Sequence, residues 1–310
     1  MDLEIVALNE LADLQTLAHL TRYDSTHGKF PGTVTTDGTA LVVNGRRIAV
    51  SHIPPLEQLP WREHDIDLVM ECTGTFADRA RAEVHLQRGA RKVLFSQPAE
   101  ADVDATLVYG VNHATLLPQH TIISNASCTT NCIVPVIAAL DAAFGIDCGV
   151  ITTIHSAMND QPVIDAYHHT DLRKTRSAFH SIIPVDTGLA RGIDRVLPAL
   201  AGRFEAQAMR VPVMNVSAID LSIVVERNVT RDEVNAAIRT AAAQSLPDVL
   251  ACTDEPLASC DFNHDPRSAI VDLSQTRVGG KRLVKVLTWF DNEWGYANRM
   301  LDVARLLSRF

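Results

Sequence analysis

The sequence predicts an α/β fold with two parts: a domain built on a mostly parallel sheet and a second, α+β domain. Three observations carry that prediction. The chain has 310 residues, and at roughly 100–200 residues per domain this gives about two domains. In its first half, short apolar runs alternate with helix-like stretches, the pattern of βαβ units in a parallel sheet. In its second half the rhythm changes to β-branched runs separated by a long polar segment.

Taken in order, residues 4–8 read as a buried strand and residues 11–21 as a helix. Residues 67–72 form a second apolar run, ending in the turn Thr73-Gly74. Residues 79–88 are helix-like and stop at Gly89. Residues 92–96, 106–110 and 120–123 read as further strands. In open α/β sheets ligands bind beyond the carboxyl ends of the strands, and Thr73, Ser96 and Ser124 occupy such ends. Next, Ile133, Val136, Ile137, Leu140 and Phe144 follow i, i+3, i+4 spacing, which predicts an amphipathic helix stopped by Gly145. Proline is tolerated near a helix's first turn. Pro135 therefore predicts a helix start within residues 130–134, with Cys128 just ahead of it. Residues 149–155 read as a strand. Residues 156–181 are polar with no clear period, and structureless segments of that length are usually functional. Residues 216–225 and 283–290 read as strands, and residues 231–245 and 297–307 as helices.

Composition excludes several function classes. Apolar residues make up 46% and charged residues 21% of the chain, ordinary for a globular protein. No apolar run reaches the roughly 18 residues a membrane span needs. The start, Met1-Asp2-Leu3-Glu4, lacks the basic region of a signal peptide. The formal net charge of −9 argues against a nucleic-acid-binding face but leaves room for a small basic pocket. The six cysteines are Cys72, Cys128, Cys132, Cys148, Cys252 and Cys260. None forms a Cys-x-x-Cys pair or a zinc-like spacing with histidine, so no metal is expected. Together these features predict a cytoplasmic protein with reduced thiols and without nucleic-acid or membrane partners.

The segment Ser124-Asn125-Ala126-Ser127-Cys128-Thr129-Thr130-Asn131-Cys132 carries the chemistry. It sets one cysteine between hydroxyl residues at a strand-to-helix junction. Free backbone N–H groups and the helix dipole stabilise negative charge there and can depress a thiol pKa. A cysteine in such a place, taken alone, is most often a buried small hydrophobe.

Ser127-Cys128-Thr129-Thr130-Asn131-Cys132 resembles the active-site signature of the glyceraldehyde-3-phosphate dehydrogenase family. Tyr23-Asp24-Ser25-Thr26-His27-Gly28, Arg210-Val211-Pro212 and Asp291-Asn292-Glu293-Trp294-Gly295-Tyr296 also look like that family. Ile154-His155-Ser156-Ala157-Met158, Asp165-Ala166-Tyr167-His168, Ile183-Pro184-Val185-Asp186-Thr187 and Asp261-Phe262-Asn263-His264-Asp265-Pro266 look most like its erythrose-4-phosphate dehydrogenase branch. The resemblance implies a Rossmann-type domain over residues 1–127, completed by a C-terminal helix over 293–310, and a catalytic domain over 128–292. It also implies a homotetramer, with residues 156–181 at a subunit interface.

The implied reaction is oxidation of a phosphorylated aldose by NAD through a cysteine thioester. The expected substrate is D-erythrose 4-phosphate, giving 4-phosphoerythronate for pyridoxine biosynthesis. Phosphorylating glyceraldehyde-3-phosphate dehydrogenase and a non-catalytic remnant are the alternatives. By the same resemblance Cys128 is the nucleophile, His155 its proton acceptor and Cys132 structural. Ser127, Thr129, Thr187, Gly188 and Arg210 bind the substrate's phosphate, together with Lys174 at a position where the family carries arginine. Lysine keeps the charge but loses the planar fork. Asn292 holds the nicotinamide carboxamide, with Tyr296 nearby. Glu10 accepts ribose hydroxyls, which favours NAD over NADP, and Ser96 lies at a cofactor-facing strand end. Pro54 stands where relatives carry a cofactor-contacting arginine. Met158 replaces a frequent hydroxyl residue, and a thioether cannot donate to phosphate. That difference fits a thioester resolved by water.

One motif is missing. No two glycines stand two positions apart anywhere in the chain, so the phosphate-cradling Gly-x-Gly-x-x-Gly loop does not occur. Relatives carry a strand, that loop and a helix ahead of the equivalent of residues 4–8. The first βα unit is therefore expected to be absent, with its neighbouring strands left unpaired. Two readings follow: a chain whose true start lies upstream, which the intact downstream residues favour, or a remnant unable to bind NAD.

Overall fold

The computed structural model describes residues 3–310; Met1 and Asp2 of the N-terminal reading lie outside the described residues. The chain divides into two compact units. The first comprises Met1–Thr106, Leu116–Asn125 and Val303–Phe310; the second comprises Leu107–Thr115 and Ala126–Asp302.

The first unit holds two four-stranded sheets. One contains β1 (Ala7–Asn9), β2 (Val34–Asp37), β3 (Ala40–Val43) and β4 (Arg46–Ser51), in the order β1-β4-β3-β2. Only the β1–β4 pairing in it is parallel. The antiparallel strands β2 to β4 were not anticipated. Their apolar runs, Ala40-Leu41-Val42-Val43 and Ile48-Ala49-Val50, are short and closely spaced by the turn residues Asp37-Gly38 and Asn44-Gly45, with no helix-like stretch between them. The other sheet is wholly parallel: β5 (Leu68–Glu71), β6 (Lys92–Phe95), β7 (Ala105–Thr106) and β8 (Ile122–Ser124), in the order β5-β6-β8-β7. β1 and β5 are both edge strands.

The first strand differs from its prediction. Ile5 and Val6 are exposed rather than buried, and the ladder begins at Ala7. The Glu10 carboxylate accepts from the backbone N–H groups of Leu11 and Ala12 and so shapes the turn after β1. Asp13 then caps α1 (Leu14–Arg22) by accepting from Gln15 and Thr16 N–H, which satisfies orphan donors of the first turn. The helix therefore starts three residues after the predicted position. The strand expected over residues 106–110 is confined to β7, because the chain turns at Gly110, with φ +92°. Helix α2 (Arg79–Gln87) lies close to its prediction, capped by Asp78.

The second unit contains α3 (Cys128–Phe144), β9 (Ile146–His155), β10 (Ile183–Val185), α4 (Leu189–Val196), β11 (Phe204–Arg210), β12 (Ser217–Val225), α5 (Arg231–Thr240), β13 (Leu250–Thr253), β14 (Ala269–Gly279), β15 (Leu283–Phe290) and the start of α6 (Trp294–Leu307). Its strands make one seven-stranded mixed sheet, in the order β10-β11-β9-β12-β15-β14-β13. β9 runs parallel to β11 and antiparallel to β12. Between β9 and β10, residues 156–182 contain only one short 3₁₀ turn, Leu172–Thr175.

α3 is the core of this unit. Ile133, Val134, Val136, Ile137 and Leu140 are all 0% exposed and pack with Ile151, Ile219 and Val286 of the sheet. Each such side chain contributes about 1.5–3 kcal/mol by leaving water. The helix starts earlier than Pro135 suggested. Ser127 is the N-cap and its Oγ accepts from Thr130 N–H at 3.0 Å. Cys128 is thus the first helical residue, and Pro135 lies in the third turn. That proline removes one i→i−4 hydrogen bond, and the fully buried neighbours offset the loss. Ile137→Ala should lower the stability of the chain by about 2–5 kcal/mol, measured by urea unfolding. A change within experimental error would show that α3 does not anchor the core.

Candidate active site

All the groups around Cys128 come from the second unit. β12 and β15 both pair into the sheet that carries β9, and β9 ends at His155. α3 begins at Cys128, so the thiol meets the imidazole: Cys128 Sγ lies 3.6 Å from His155 Nε2. His155 Nδ1 lies 2.9 Å from the carbonyl oxygen of Ser156. A carbonyl only accepts, so Nδ1 carries the proton and the neutral ring presents a bare Nε2 to the thiol. Phe290 meets the ring edge-on at 6.2 Å and restricts its tilt.

The turn into α3 is built for this contact. Ala126 has φ +53°, a left-handed conformation that non-glycine residues adopt at some cost. Tyr296 Oη donates to Ala126 O at 2.9 Å and holds that turn. Ser127 Oγ also meets the hydroxyls of Thr129, at 2.8 Å, and Thr130, at 2.7 Å. Gly192 of α4 packs on this first turn, where a Cβ would meet Thr130 Oγ1 at 2.8 Å.

The helix start does not by itself depress the Cys128 pKa. Burial pushes the thiol up to about 11, while the backbone N–H groups of Thr129 and Cys128 pull it down. Burial also pushes His155 down, with Arg210 acting in the same direction; the Ser156 hydrogen bond and Asp160 oppose it. Each group alone is therefore neutral. The pair changes this. Two opposite charges 3.6 Å apart attract by about 4–5 kcal/mol at an effective dielectric of ~20. A protonated His155 thus offsets the thiolate's desolvation and draws the thiol's deprotonation back toward neutral pH. Cys132 is different. It is fully buried, its Sγ is 3.9 Å from Thr288 Oγ1, and burial drives its thiol far upward.

Beside His155 is a second cluster. Arg210 is the cross-strand neighbour of His155 in the parallel β9–β11 ladder. Its guanidinium is almost wholly buried and pairs with Asp160, whose other oxygen accepts from Lys174 Nζ at 2.9 Å. Burial works to raise the Asp160 carboxyl, and its bonds to Lys174 and Arg210 overcome this and lower it. One carboxylate thus joins the two predicted phosphate-binding cations. Asp160 was not anticipated; the available signal was an acid five residues after His155, inside the polar segment. Thr187 and Gly188 line a cavity of about 580 Å³ with Arg173, Arg191 and Gln207, and neither Cys128 nor Arg210 is among its lining residues.

Asn292 is fixed through its oxygen. Oδ1 accepts from Ser156 Oγ at 3.0 Å and from Ser217 Oγ at 2.8 Å, and Ser217 Oγ accepts from Ser156 N–H. The amide nitrogen is thereby oriented with its two hydrogens available to another acceptor. Ser217 was missed, because a lone serine at a strand start has no distinguishing pattern. In the first unit, Glu10 spends one oxygen on its own turn and keeps the other. The Ser96 N–H donates to Glu71 O.

Residues 127–292 match the family model described as the glyceraldehyde 3-phosphate dehydrogenase C-terminal domain. Residues 1–79 match that family's NAD binding domain. The chain belongs to the glyceraldehyde 3-phosphate dehydrogenase family, and so to the NAD-dependent oxidoreductases that act on sugar phosphates.

His155→Asn removes the cation that stabilises the thiolate. Alkylation of Cys128 by iodoacetamide at pH 7 should slow by about 100-fold or more, with its pH profile displaced upward. An unchanged profile would mean that the backbone N–H groups alone activate the thiol.

Proposed function

We propose that the chain oxidises D-erythrose 4-phosphate to 4-phosphoerythronate with NAD, and that water resolves its thioester. The observation that carries the proposal is the Cys128–His155 contact next to the Arg210–Asp160–Lys174 cluster. Nε2 takes the thiol proton, and the thiolate attacks the aldehyde carbon. The new alkoxide recovers the proton from Nε2, giving a hemithioacetal on Cys128. NAD, when bound, supplies the acceptor for the hydride that leaves this carbon. Nε2 takes the hydroxyl proton as the C–H bond breaks, which leaves a thioester. Nε2 releases that proton to solvent, and a water then adds to the thioester carbon and gives a proton to the bare Nε2. Collapse breaks the C–S bond, and the departing sulfur regains a proton.

In this reading Arg210 and Lys174 receive the substrate's phosphate in place of Asp160, with Ser127 and Thr129 as neutral donors, while Thr187 and Gly188 serve a separate anion position beside Arg191. Asn292 presents its amide nitrogen to the nicotinamide, and Glu10 and Ser96 line the cofactor's path. Tyr296 acts as a positioning residue, through Ala126 O. Residues 1–127 with 293–310 form the dinucleotide-binding part, and residues 128–292 the catalytic part. The six free thiols fit a reducing cytoplasm.

Met158 favours water over phosphate as the second nucleophile. It is 47% exposed and offers no donor to hold an inorganic phosphate in line with the thioester. NADH formation from erythrose 4-phosphate should proceed without added phosphate, faster than from glyceraldehyde 3-phosphate. Met158→Thr should raise the phosphate-dependent rate. Strict dependence on phosphate with glyceraldehyde 3-phosphate as the better substrate would establish the phosphorylating reaction instead. Absence of NAD binding by calorimetry would establish a non-catalytic chain.

Residues 156–182 also carry an apolar surface, since Val163, Ile164, Tyr167, Leu172 and Ile182 are 67–85% exposed. An exposed patch of this kind marks an interface, and here it is assigned to copies of the same chain in a homotetramer. Sedimentation should show tetramers, dissociating when Ile164 and Leu172 become Asp; a monomer at micromolar concentration would contradict this.

A further inference from the structure

A cluster of cations stands outside the Cys128 region, where the N-terminus of α5 overlies β14. The pairing of β14 with β15 shifts register between Asp272 and Arg277. A shift of this kind is a bulge, which releases backbone groups from the ladder. Those groups are taken up by cations. Arg231 Nη2 donates to Leu273 O at 3.1 Å and to Ser274 O at 3.4 Å, and Asn235, one turn later on α5, also donates to Leu273 O. Arg277 Nη1 donates to Ser274 O at 2.8 Å and to Thr276 O at 3.0 Å. Between the two elements lies a cavity of about 530 Å³, lined by Thr230, Arg231, Ser274, Thr276, Arg277 and Lys281.

Two features mark this cavity as a place for a ligand. Arg231, Arg277 and Lys281 have no carboxylate partner among the described residues, although the chain as a whole carries a net charge of −9. Asp272, on the same strand, is buried and accepts from both the N–H and the Oγ of Ser274. The Thr276 side chain is 0% exposed, and its Oγ1 has no hydrogen-bond partner. A buried hydroxyl without a partner costs about 1–3 kcal/mol, and this one lines the cavity.

We propose that this cavity binds a small phosphorylated metabolite. Arg231, Arg277 and Lys281 take the phosphate through charge-assisted hydrogen bonds. The volume exceeds what a bare phosphate ion fills, so the organic part contributes to affinity.

Calorimetry on the full chain tests this with glycerol 3-phosphate, inorganic phosphate and glycerol as probes. Arg210→Gln is the background, because it disables the anion position beside His155. In that background glycerol 3-phosphate should still bind, more tightly than inorganic phosphate, and glycerol should not bind. Adding Arg277→Gln and Lys281→Gln should weaken glycerol 3-phosphate by about tenfold or more. On the unsubstituted chain, glycerol 3-phosphate should slow amide exchange at residues 229–231 and 274–281. The proposal is overturned by an unchanged affinity in the added double substitution, by equal affinity for inorganic phosphate, or by absence of exchange protection at those residues. These readouts do not depend on turnover, so they stand apart from the reaction assigned to Cys128.

Discussion

The start of α3 is the constraint on which the rest depends. Ser127 caps the helix, Ala126 takes a left-handed conformation to reach that cap, and Tyr296 holds the Ala126 carbonyl. Left-handed backbone at a non-glycine residue costs free energy and persists only where its surroundings determine it. Here those surroundings are a helix whose apolar face is fully buried against a seven-stranded sheet. The packing energy of α3 thus holds Cys128 at a fixed distance from the last residue of β9. Geometry that a loop could not keep is kept by a helix terminus and a central strand.

Electrostatics in this site is a matter of pairs rather than of single groups. Burial opposes charge on Cys128 and on His155 alike, and the helix N-terminus is too weak to reverse it for the thiol. Charge separation becomes favourable only when both change together. The same logic governs Arg210, which is almost wholly buried and has Asp160 as its counter-ion. A buried cation without a partner is costly, so Asp160 holds Arg210 in place until another anion arrives. Lys174 extends that arrangement by sharing the same carboxylate.

Much of this was legible in the sequence, and the exceptions have physical causes. The apolar spacing from Ile133 to Phe144 marked α3, but its start was read from Pro135 when the cap at Ser127 decides it. The alternation of apolar runs and helices marked the parallel sheet of β5 to β8. It missed β2 to β4, whose residues form hairpins with one solvated side. Cys128, His155, Arg210, Lys174 and Asn292 stood out by motif, and the structure places Cys128 with His155 and Arg210 with Lys174. Asp160 and Ser217 were invisible. Their importance lies in which groups they join across 14 and 75 residues of sequence, and no local pattern reports that. Glu10 was read as a ribose acceptor, yet one of its oxygens shapes the turn after β1, a use that only backbone coordinates reveal.

The paired thiol and imidazole can be observed directly by nitrogen NMR of the His155 ring across the pH range. A proton should stay on Nδ1 throughout, held by Ser156 O, and Nε2 should change protonation in step with the Cys128 thiol. A neutral ring protonated at Nε2 instead, titrating independently of Cys128, would contradict the pairing and with it the proposed route to the thiolate.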